Sequence, residues 1–541
     1  MSVPILGRRQ MLQRAGALAA GTIAAGFASA LRTPILAGSS DLCATPARFD
    51  MPLHLPGSHG LMGRVAAGNT SLDLRAMQRT GEGPRLAFVT NVAGRECVNP
   101  ILTVRRNDDL RIHVANGMGE PTIAHWHGLA VDTANDGNGE VLIEPGQSFT
   151  YAFTVRNRAG LYWYHPHPHG ATASQVYRGL FGLIAIDDDE EDALRAALEL
   201  VPGDTEIPLV LHDRRSTLPD RYAPTTDDKR LGWFGDETLV NFTARPYLEV
   251  TARHYRLRVL NAANARNFRL AFRSDNGVQV PFLLLGTDGG LLERAQPCTE
   301  VFVSPAERVD LLVDFSGIAN GGFVLLESRA FEPMHSLPLP HAEHADAPAA
   351  ERHVMRATAS TPEPSPQVTD GAPLQLLQFR IRGRGGRAPP IPARLSTPVA
   401  IRADGEGRAL RLGFANGRWR INDHVYEMAA TPIVVARNAV ETWLIRNYHS
   451  SMPHAMHLHG FHFRVLERET SPDQLAPLVV ADRGRLATDL GWKDTVLLWP
   501  GESVKIAIDF RNAFAGEQIY LFHCHNLEHE DGGMMLRVKV G

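Results

Sequence analysis

Hydrophobic positions between residues 84 and 189 come in short runs, apolar throughout or alternating with polar residues, and turn-forming residues separate them. The runs at 85–89, 101–104, 110–114, 148–155, 161–164 and 182–186 read as strands. Strands recurring at this spacing predict a β-sandwich or barrel. The acidic run 187–192 ends this unit, and 193–200 is a short helical candidate. A second β-rich unit spans 207–330, with strands expected at 208–212, 255–260, 282–285, 300–303, 309–315 and 323–327. Residues 331–372 are rich in Pro, Ala and His, as in Pro362-Glu363-Pro364-Ser365-Pro366, and read as a linker. A third unit occupies the remainder. The boundaries expected are 50–190, 200–330 and 373–541 for three domains, with 331–372 between the second and third.

The outer units echo each other. Pro145-Gly146-Gln147-Ser148 precedes a strand and then His165-Pro166-His167; Pro500-Gly501-Glu502-Ser503 precedes a strand and then His523-Cys524-His525. The middle unit has Ser304-Pro305-Ala306-Glu307 and the strand at 309–315, but no histidines after it. A weak repeat with ligands only in its outer copies implies that the outer units share a metal site and that the middle unit spaces them.

Composition narrows the class. A chain of 541 residues with 44% hydrophobic and 21% charged residues is long enough for several cores. The formal charge of −4 leaves no basic footprint for nucleic acid. The first thirty residues read as an export signal: Arg8-Arg9 opens a basic region, an Ala/Gly-rich apolar run follows, and Ala28-Ser29-Ala30 is a small-residue cleavage site. The paired arginines favour the twin-arginine route. No later run reaches the roughly 18 apolar residues that a membrane span needs, so a periplasmic or secreted protein is expected. Cys524 sits among histidines and is assigned to metal; any pairing among Cys43, Cys97 and Cys298 stays open.

The chemistry concentrates near the end of the chain. Residues 523–535 hold three histidines, a cysteine and two methionines. The preceding Gln518-Ile519-Tyr520-Leu521-Phe522 is rich in β-formers, so the first of these residues continue a strand. Side chains alternate along a strand, and His523 and His525 therefore face away from Cys524. A thiolate joined by imidazoles and a weak thioether is the ligand set of a blue copper site, and His529 and Met534 follow at spacings from which a loop folds back onto Cys524. The flanking histidines need a different metal centre. Three further clusters supply partners: His125-Trp126-His127, His165-Pro166-His167 and His454-Ala455-Met456-His457-Leu458-His459. Each contains His-x-His, which places two imidazoles on one face of an extended chain, and neutral imidazole suits copper. His169, His449 and His462 fall outside this spacing. The scattered His335, His341, His344 and His353, with Met334 and Met355, fit a solvated linker better than a site.

With these motifs the chain resembles the multicopper oxidases, the family of laccases, ascorbate oxidases and bacterial cuprous oxidases, over essentially its whole length after the leader. Leu260-Asn261-Ala262-Ala263-Asn264 and Asp288-Gly289-Gly290 extend the likeness through the middle unit. The resemblance implies an all-β fold of three consecutive cupredoxin-like Greek-key β-sandwich domains. It implies four copper ions: a type 1 copper on Cys524, His454 and His529 with Met534 as axial thioether, and a type 2 copper on His125 and His457. Two type 3 coppers would take His127, His165 and His525, and His167, His459 and His523. It further implies one-electron oxidation of a donor at the type 1 site and reduction of dioxygen to water at the other three ions. Asp136 and Glu530 match positions that relay protons in bacterial members, although Asp136 in Asn135-Asp136-Gly137 also suits a turn. The donor expected is a phenol or similar laccase substrate, with Cu(I), and hence a role in copper tolerance, as the alternative. Met452, two residues before His454, fits the cuprous oxidase pattern, whereas Ser450 stands where that pattern has an acid. A copper-binding or structural protein without activity is the reading of another class, and a monomer is the expected state.

Overall fold

The computed structural model describes residues 48–335, 369–401, 407–511 and 514–541, with residues 82, 387 and 398 excepted. The expected leader, Cys43 and most of the His-bearing segment 331–372, including His341, His344, His353 and Met355, lie outside the described residues.

Strands dominate because the alternation in the sequence is real. Asp109–Asn116 buries Leu110, Ile112 and Val114 and turns Asp109 and Arg111 outward. Each aliphatic side chain so buried contributes roughly 1.5–3 kcal/mol. That strand lies between Ser148–Thr154 and Thr70–Gln78 in a six-stranded sheet. A five-stranded sheet packs against it, in the order Arg64–Ala66, Ile101–Arg105, Gly182–Asp187, Gly160–His165 and His125–His127. Phe88, Ile112 and Tyr151 of the first sheet meet Trp126, Tyr164 and Ile184 of the second in one core. The middle of the chain builds two seven-stranded sheets, and its C-terminal region builds a pair of five-stranded sheets. Each pair again encloses its own core. The result is all-β, three cupredoxin-like sandwiches in succession.

Two expectations need correction. The strand Leu374–Arg384, expected to begin the third domain, pairs antiparallel with Phe323–Ser328 and parallel with Pro246–Ala252, inside a sheet of the middle domain. The segment expected to link two domains is therefore the connection of a hairpin within one domain. Its described ends meet, with Phe331 N donating to Gly371 O at 3.0 Å. The chain leaves the middle domain only after Arg384. The helix expected at 193–200 runs instead over Asp189–Leu198. Asp188 caps it by accepting from the backbone N–H groups of Glu190 and Glu191, both at 3.0 Å. The acidic run is thus its first turn, where carboxylates complement the helix dipole.

Cys97, Cys298 and Cys524 are free thiols. No helix among the described residues is long and apolar enough to cross a membrane.

Residues from all three domains interlock in a further apolar cluster, Trp163, Phe181 and Val176 from the first, Val210 and Leu260 from the middle and Leu527 from the last. The first and middle domains also meet backbone to backbone. At Gly290, φ is +96°, and an added Cβ would lie 2.2 Å from Ala159 O. Positive φ and lack of space both demand glycine there. Gly290→Ala is expected to lower stability by more than about 1 kcal/mol, read as a lower midpoint in chemical denaturation without loss of β-structure by circular dichroism.

Candidate metal centre

Strand pairing brings the four histidine motifs together. His125–His127 is the edge strand beside Gly160–His165, with His125 opposite His165 and His127 opposite Trp163. Between the two histidines Trp126 points the other way, into the first domain's core. In the last domain His454–Leu458 pairs with Gln518–Cys524, placing Met456 opposite Cys524 and His457 opposite His523. Cys524, Met456 and His454 share the parity that faces the domain's own core. His457 and His523 face the junction with the first domain, and His459 follows His457 onto that face. Each of the ten motif histidines, Cys524 and Met534 is at most 1% exposed.

One set forms around Cys524. Its Sγ lies 3.5 Å from His454 Nδ1 and 3.6 Å from His529 Nδ1. His529 comes from a five-residue helix, Leu527–Asp531, where a loop was expected. The outward nitrogens are anchored: His529 Nε2–H donates to Arg230 O at 2.9 Å, and His454 Nε2 bonds Ser451 Oγ at 3.2 Å. Trp419 lies against both rings, at 4.7 and 5.0 Å, and donates from Nε1 to the same Arg230 carbonyl at 2.8 Å. Burial pushes the Cys524 thiol up to about 12, so ionisation requires a cation beside it. Met534 and Met452 lie buried in the same core.

The second set is a closed cluster of eight imidazoles. His523 Nε2 approaches His459 Nε2 at 3.0 Å and His167 Nε2 at 3.5 Å, the trio expected to act together. His127 Nδ1 is 3.4 Å from His165 Nε2, and both group with His125. His125 also groups with His457 and His459. His525 stands with its ring 5.1 Å from that of His127 and 5.2 Å from that of His165. Two ring pairs stack across the domain junction: His125 on His459 at 3.9 Å, and His127 on His457 at 3.7 Å.

Each stacked pair is oriented by one aspartate. Asp136 accepts from His125 Nδ1–H through its carbonyl at 2.7 Å and from His459 Nδ1–H through Oδ2 at 2.8 Å. Asp494 accepts from His457 Nδ1–H through its carbonyl at 2.8 Å and from His127 Nε2–H through Oδ1 at 3.1 Å. A fixed outer hydrogen bond determines which nitrogen of a ring faces inward. The Nε2 atoms of His125 and His457 and both ring nitrogens of His525 are buried without a hydrogen-bond partner. An unsatisfied buried polar atom costs roughly 1–3 kcal/mol, and a metal ion at the centre of these nitrogens would remove that cost. Soft thiolate in one set and imidazoles in the other fit copper.

Glu530 reaches the cluster at His167 and His523, two rings that Asp494 does not touch. Its carboxyl oxygens lie 3.4 Å from His167 Nε2 and 3.4 Å from His523 Nδ1. Burial, reinforced by Asp531, raises its pKa well above the usual range. Asp136 is raised likewise, by burial and then by Asp132 and Glu140. Asp494 differs. Burial opposes its ionisation, yet Arg308 and His127 hold its carboxyl well below the ordinary value. Sequence reading did not single out Asp494, Arg308 or Trp419. The one local signal was Lys493-Asp494, a charged pair entering the apolar strand Thr495–Leu498. His169 and His462, outside the ligand spacing, lie alongside: His169 packs on His167 at 5.8 Å, and His462 Nε2 is 3.6 Å from Asp494 Oδ2.

Comparison with known proteins finds multicopper oxidases. Multicopper oxidase family profiles match residues 83–191 and 398–541. The multicopper oxidase Mco of Staphylococcus aureus is 28% identical over 448 residues, 82% of each chain. The laccase of Bacillus subtilis is 30% identical over 449 residues, 77% of this chain and 79% of the relative. The crystal structure of McoA multicopper oxidase from the hyperthermophile Aquifex aeolicus superposes with a TM-score of 0.77 at 31% identity, covering 91% of this chain and 99% of that one.

Burial of so many imidazoles makes the protein acid-sensitive. Eleven histidines have lowered pKa values with burial as the leading cause, His125 and His529 to about 3. Each is neutral when folded and binds a proton more readily when unfolded. Its stabilising contribution is complete above the ordinary value of 6.5 and is lost as pH falls from there toward the lowered value. Four carboxyls, Asp136, Glu528, Glu530 and Asp531, are raised and act with the opposite sign, but the histidines outnumber them. Metal-depleted protein is expected to melt at a lower temperature at pH 5 than at pH 7 in calorimetry, and copper, which must displace the Cys524 proton, to raise the melting temperature more at pH 7 than at pH 5.

Proposed function

The chain belongs to the multicopper oxidase family, copper oxidoreductases that use oxygen as acceptor, and from that premise we propose that it couples one-electron oxidation of phenols or similar donors to four-electron reduction of dioxygen. In this reading Cys524, His454, His529 and Met534 would hold a type 1 copper. His125 and His457 hold a type 2 copper; His127, His165 and His525 hold one type 3 copper, and His167, His459 and His523 the other. When bound at both places, copper would supply the redox chemistry, one-electron oxidation of the donor beside Cys524 and reduction of oxygen to water within the cluster.

The observation that carries this reading is the parity of three consecutive residues. Cys524 faces one ligand set, while His523 and His525, bonded to it on either side, face the other. The backbone is then a covalent link between the two sites, and no diffusing carrier is needed. Anchored outer nitrogens keep the ligand rings aligned, and burial excludes water from the cluster. Oxygen reduction takes up four protons. Glu530, buried against His167 and His523, and Asp136, buried against His459, hold protons at its edge.

A laccase-like donor is favoured over Cu(I). The residue that fits the cuprous oxidase pattern, Met452, is 3% exposed and packed in the core with Cys524. A copper-free structural role does not account for two complete buried ligand sets. Export through the twin-arginine leader and a monomeric state belong to the same proposal.

Copper-loaded protein is expected to show an intense blue thiolate-to-copper band and to consume oxygen with a phenolic donor, and Cys524→Ser to lose both. A colourless protein that takes up no oxygen with any one-electron donor would refute the reading. For the proton carriers, Glu530→Gln and Asp136→Asn are each expected to lower kcat about 10²-fold or more at full copper content. Oxygen electrode traces matching the unmodified protein would remove these two residues from the mechanism.

A further inference from the structure

Asp136 and Asp494 orient their stacked pairs by the same pattern of bonds, but their own surroundings differ. Among the described residues the ion-pair partners of Asp136 are His125 and His459. Asp494 is also gripped by Arg308, which comes from the middle domain. Arg308 Nη1 donates to Asp494 Oδ1 at 2.8 Å and Nη2 to Oδ2 at 2.5 Å. Every remaining donor of this guanidinium is occupied. Nε bonds Leu161 O at 3.1 Å, Nη1 bonds Ala306 O at 2.9 Å and Nη2 bonds Asp288 O at 3.1 Å. One side chain, 1% exposed, thus ties the first domain, the middle domain and the last. A planar five-donor fork suits this arrangement, and a lysine could not reproduce it.

The surroundings leave Asp494 little freedom. The backbone N–H groups of Asp494 and Thr495 both donate to Asp288 Oδ2 at 3.3 Å. Lys493 Nζ reaches Asp288 Oδ2 at 3.1 Å and Glu307 Oε1 at 2.9 Å. On the other side, an added Cβ at Gly128, the residue after His127, would lie 2.5 Å from Asp494 Oδ2 and 3.0 Å from Arg308 Nη2. The glycine directly after the first histidine pair is therefore what lets the Arg308–Asp494 pair reach His127.

We propose that Arg308 is a positioning residue of the oxygen-reducing cluster, acting through Asp494. The bidentate grip holds Asp494 Oδ1 toward His127 Nε2–H, so that His127 presents Nδ1 inward. It also fixes the segment whose carbonyl, at Asp494, holds His457 with Nε2 inward. His127 and His457 belong to neighbouring ions in the assignment above, so the middle domain, without contributing a ligand, sets the geometry of that side of the cluster. The inference rests on the copper assignment.

Arg308→Met, Asp494→Asn and the double variant, prepared as copper-loaded full-length protein, test it. Copper per chain, the type 2 electron paramagnetic resonance signal and the blue band are read alongside kcat. Each single variant is expected to keep the blue band, to alter the type 2 signal or lose that ion, and to lower kcat about 10–100-fold. The double variant is expected to be no worse than the poorer single, because both residues act as one unit. Full copper with an unaltered type 2 signal in Arg308→Met overturns the proposal, as does a double variant whose loss is the product of the two singles. If Arg308→Met does not fold, Arg308→Lys replaces it, since lysine keeps the charge but cannot grip both oxygens. An altered type 2 signal beneath an intact blue band then supports the proposal, and the signal of the unmodified protein overturns it. Unmodified protein with neither blue band nor oxygen uptake would instead refute the copper assignment itself.

Discussion

Alternation along a β-strand is the constraint on which the rest of this molecule depends. A residue and its neighbours must face opposite sides, so a cysteine between two histidines is obliged to serve a different site from theirs. Cys524 is turned into the core of its own sandwich, where His454 and His529 meet it. His523 and His525 are turned out of that sandwich, toward a face that only a second domain can close. The same rule acts at Trp126, which fills the first domain's core so that His125 and His127 can point away from it. A single parity error in any of these strands would exchange a clustered histidine for a core residue.

Closing that face buries charge and polarity together, and the protein answers with hydrogen bonds specific to each ring. Asp136 and Asp494 each use a backbone carbonyl for one imidazole and a carboxylate oxygen for another. The two carboxyls have nonetheless been given opposite electrostatic settings. Beside Asp136 stand Asp132 and Glu140, which disfavour its charged form; beside Asp494 stands Arg308, which favours it. A carboxylate gripped by a guanidinium is suited to orienting the ring that donates to it. Similar side chains in similar hydrogen-bonding roles are thus suited to different tasks by their neighbours.

The features legible in the sequence were those with a local signature. Strands such as Glu300–Val303 and Ile101–Arg105 stand where the hydrophobic pattern put them, because a short apolar run between turn residues is a local signal. The histidine motifs were legible through the chemistry of thiolate and imidazole, and the structure brings them together. What escaped notice was set by contacts distant in sequence. Arg308 and Asp494 are 186 residues apart, and neither carries a mark of its own. The hairpin that joins Phe323–Ser328 to Leu374–Arg384 was hidden because a Pro- and Ala-rich segment looks alike whether it links domains or connects two strands of one sheet. The helix that carries His529 is a single turn, too short for a 3.6-residue period to show.

These distant contacts change the standing of the middle domain. It has no close histidine pair, and by sequence alone it spaces its neighbours. In the structure it touches both ligand sets. The carbonyl of Arg230 receives His529 Nε2–H and the indole of Trp419, which lies on both imidazoles of the Cys524 set. Tyr222 and Asn264 donate to Glu528 Oε1, and the Trp233 backbone N–H donates to Oε2, one residue before His529 in the chain. Arg308 does the equivalent work at the cluster. A domain that only separated two others would require surface complementarity and little more. Buried donors and acceptors aimed at the residues beside the ligands require that the three domains dock in one register, because a shift of about 1 Å would break these bonds and leave charges unpaired in a dry interior. The absence of histidine pairs from the middle domain therefore does not mark it as inert: it supplies fixed partners for His529 and Asp494, beside the histidines that the other two domains bring together.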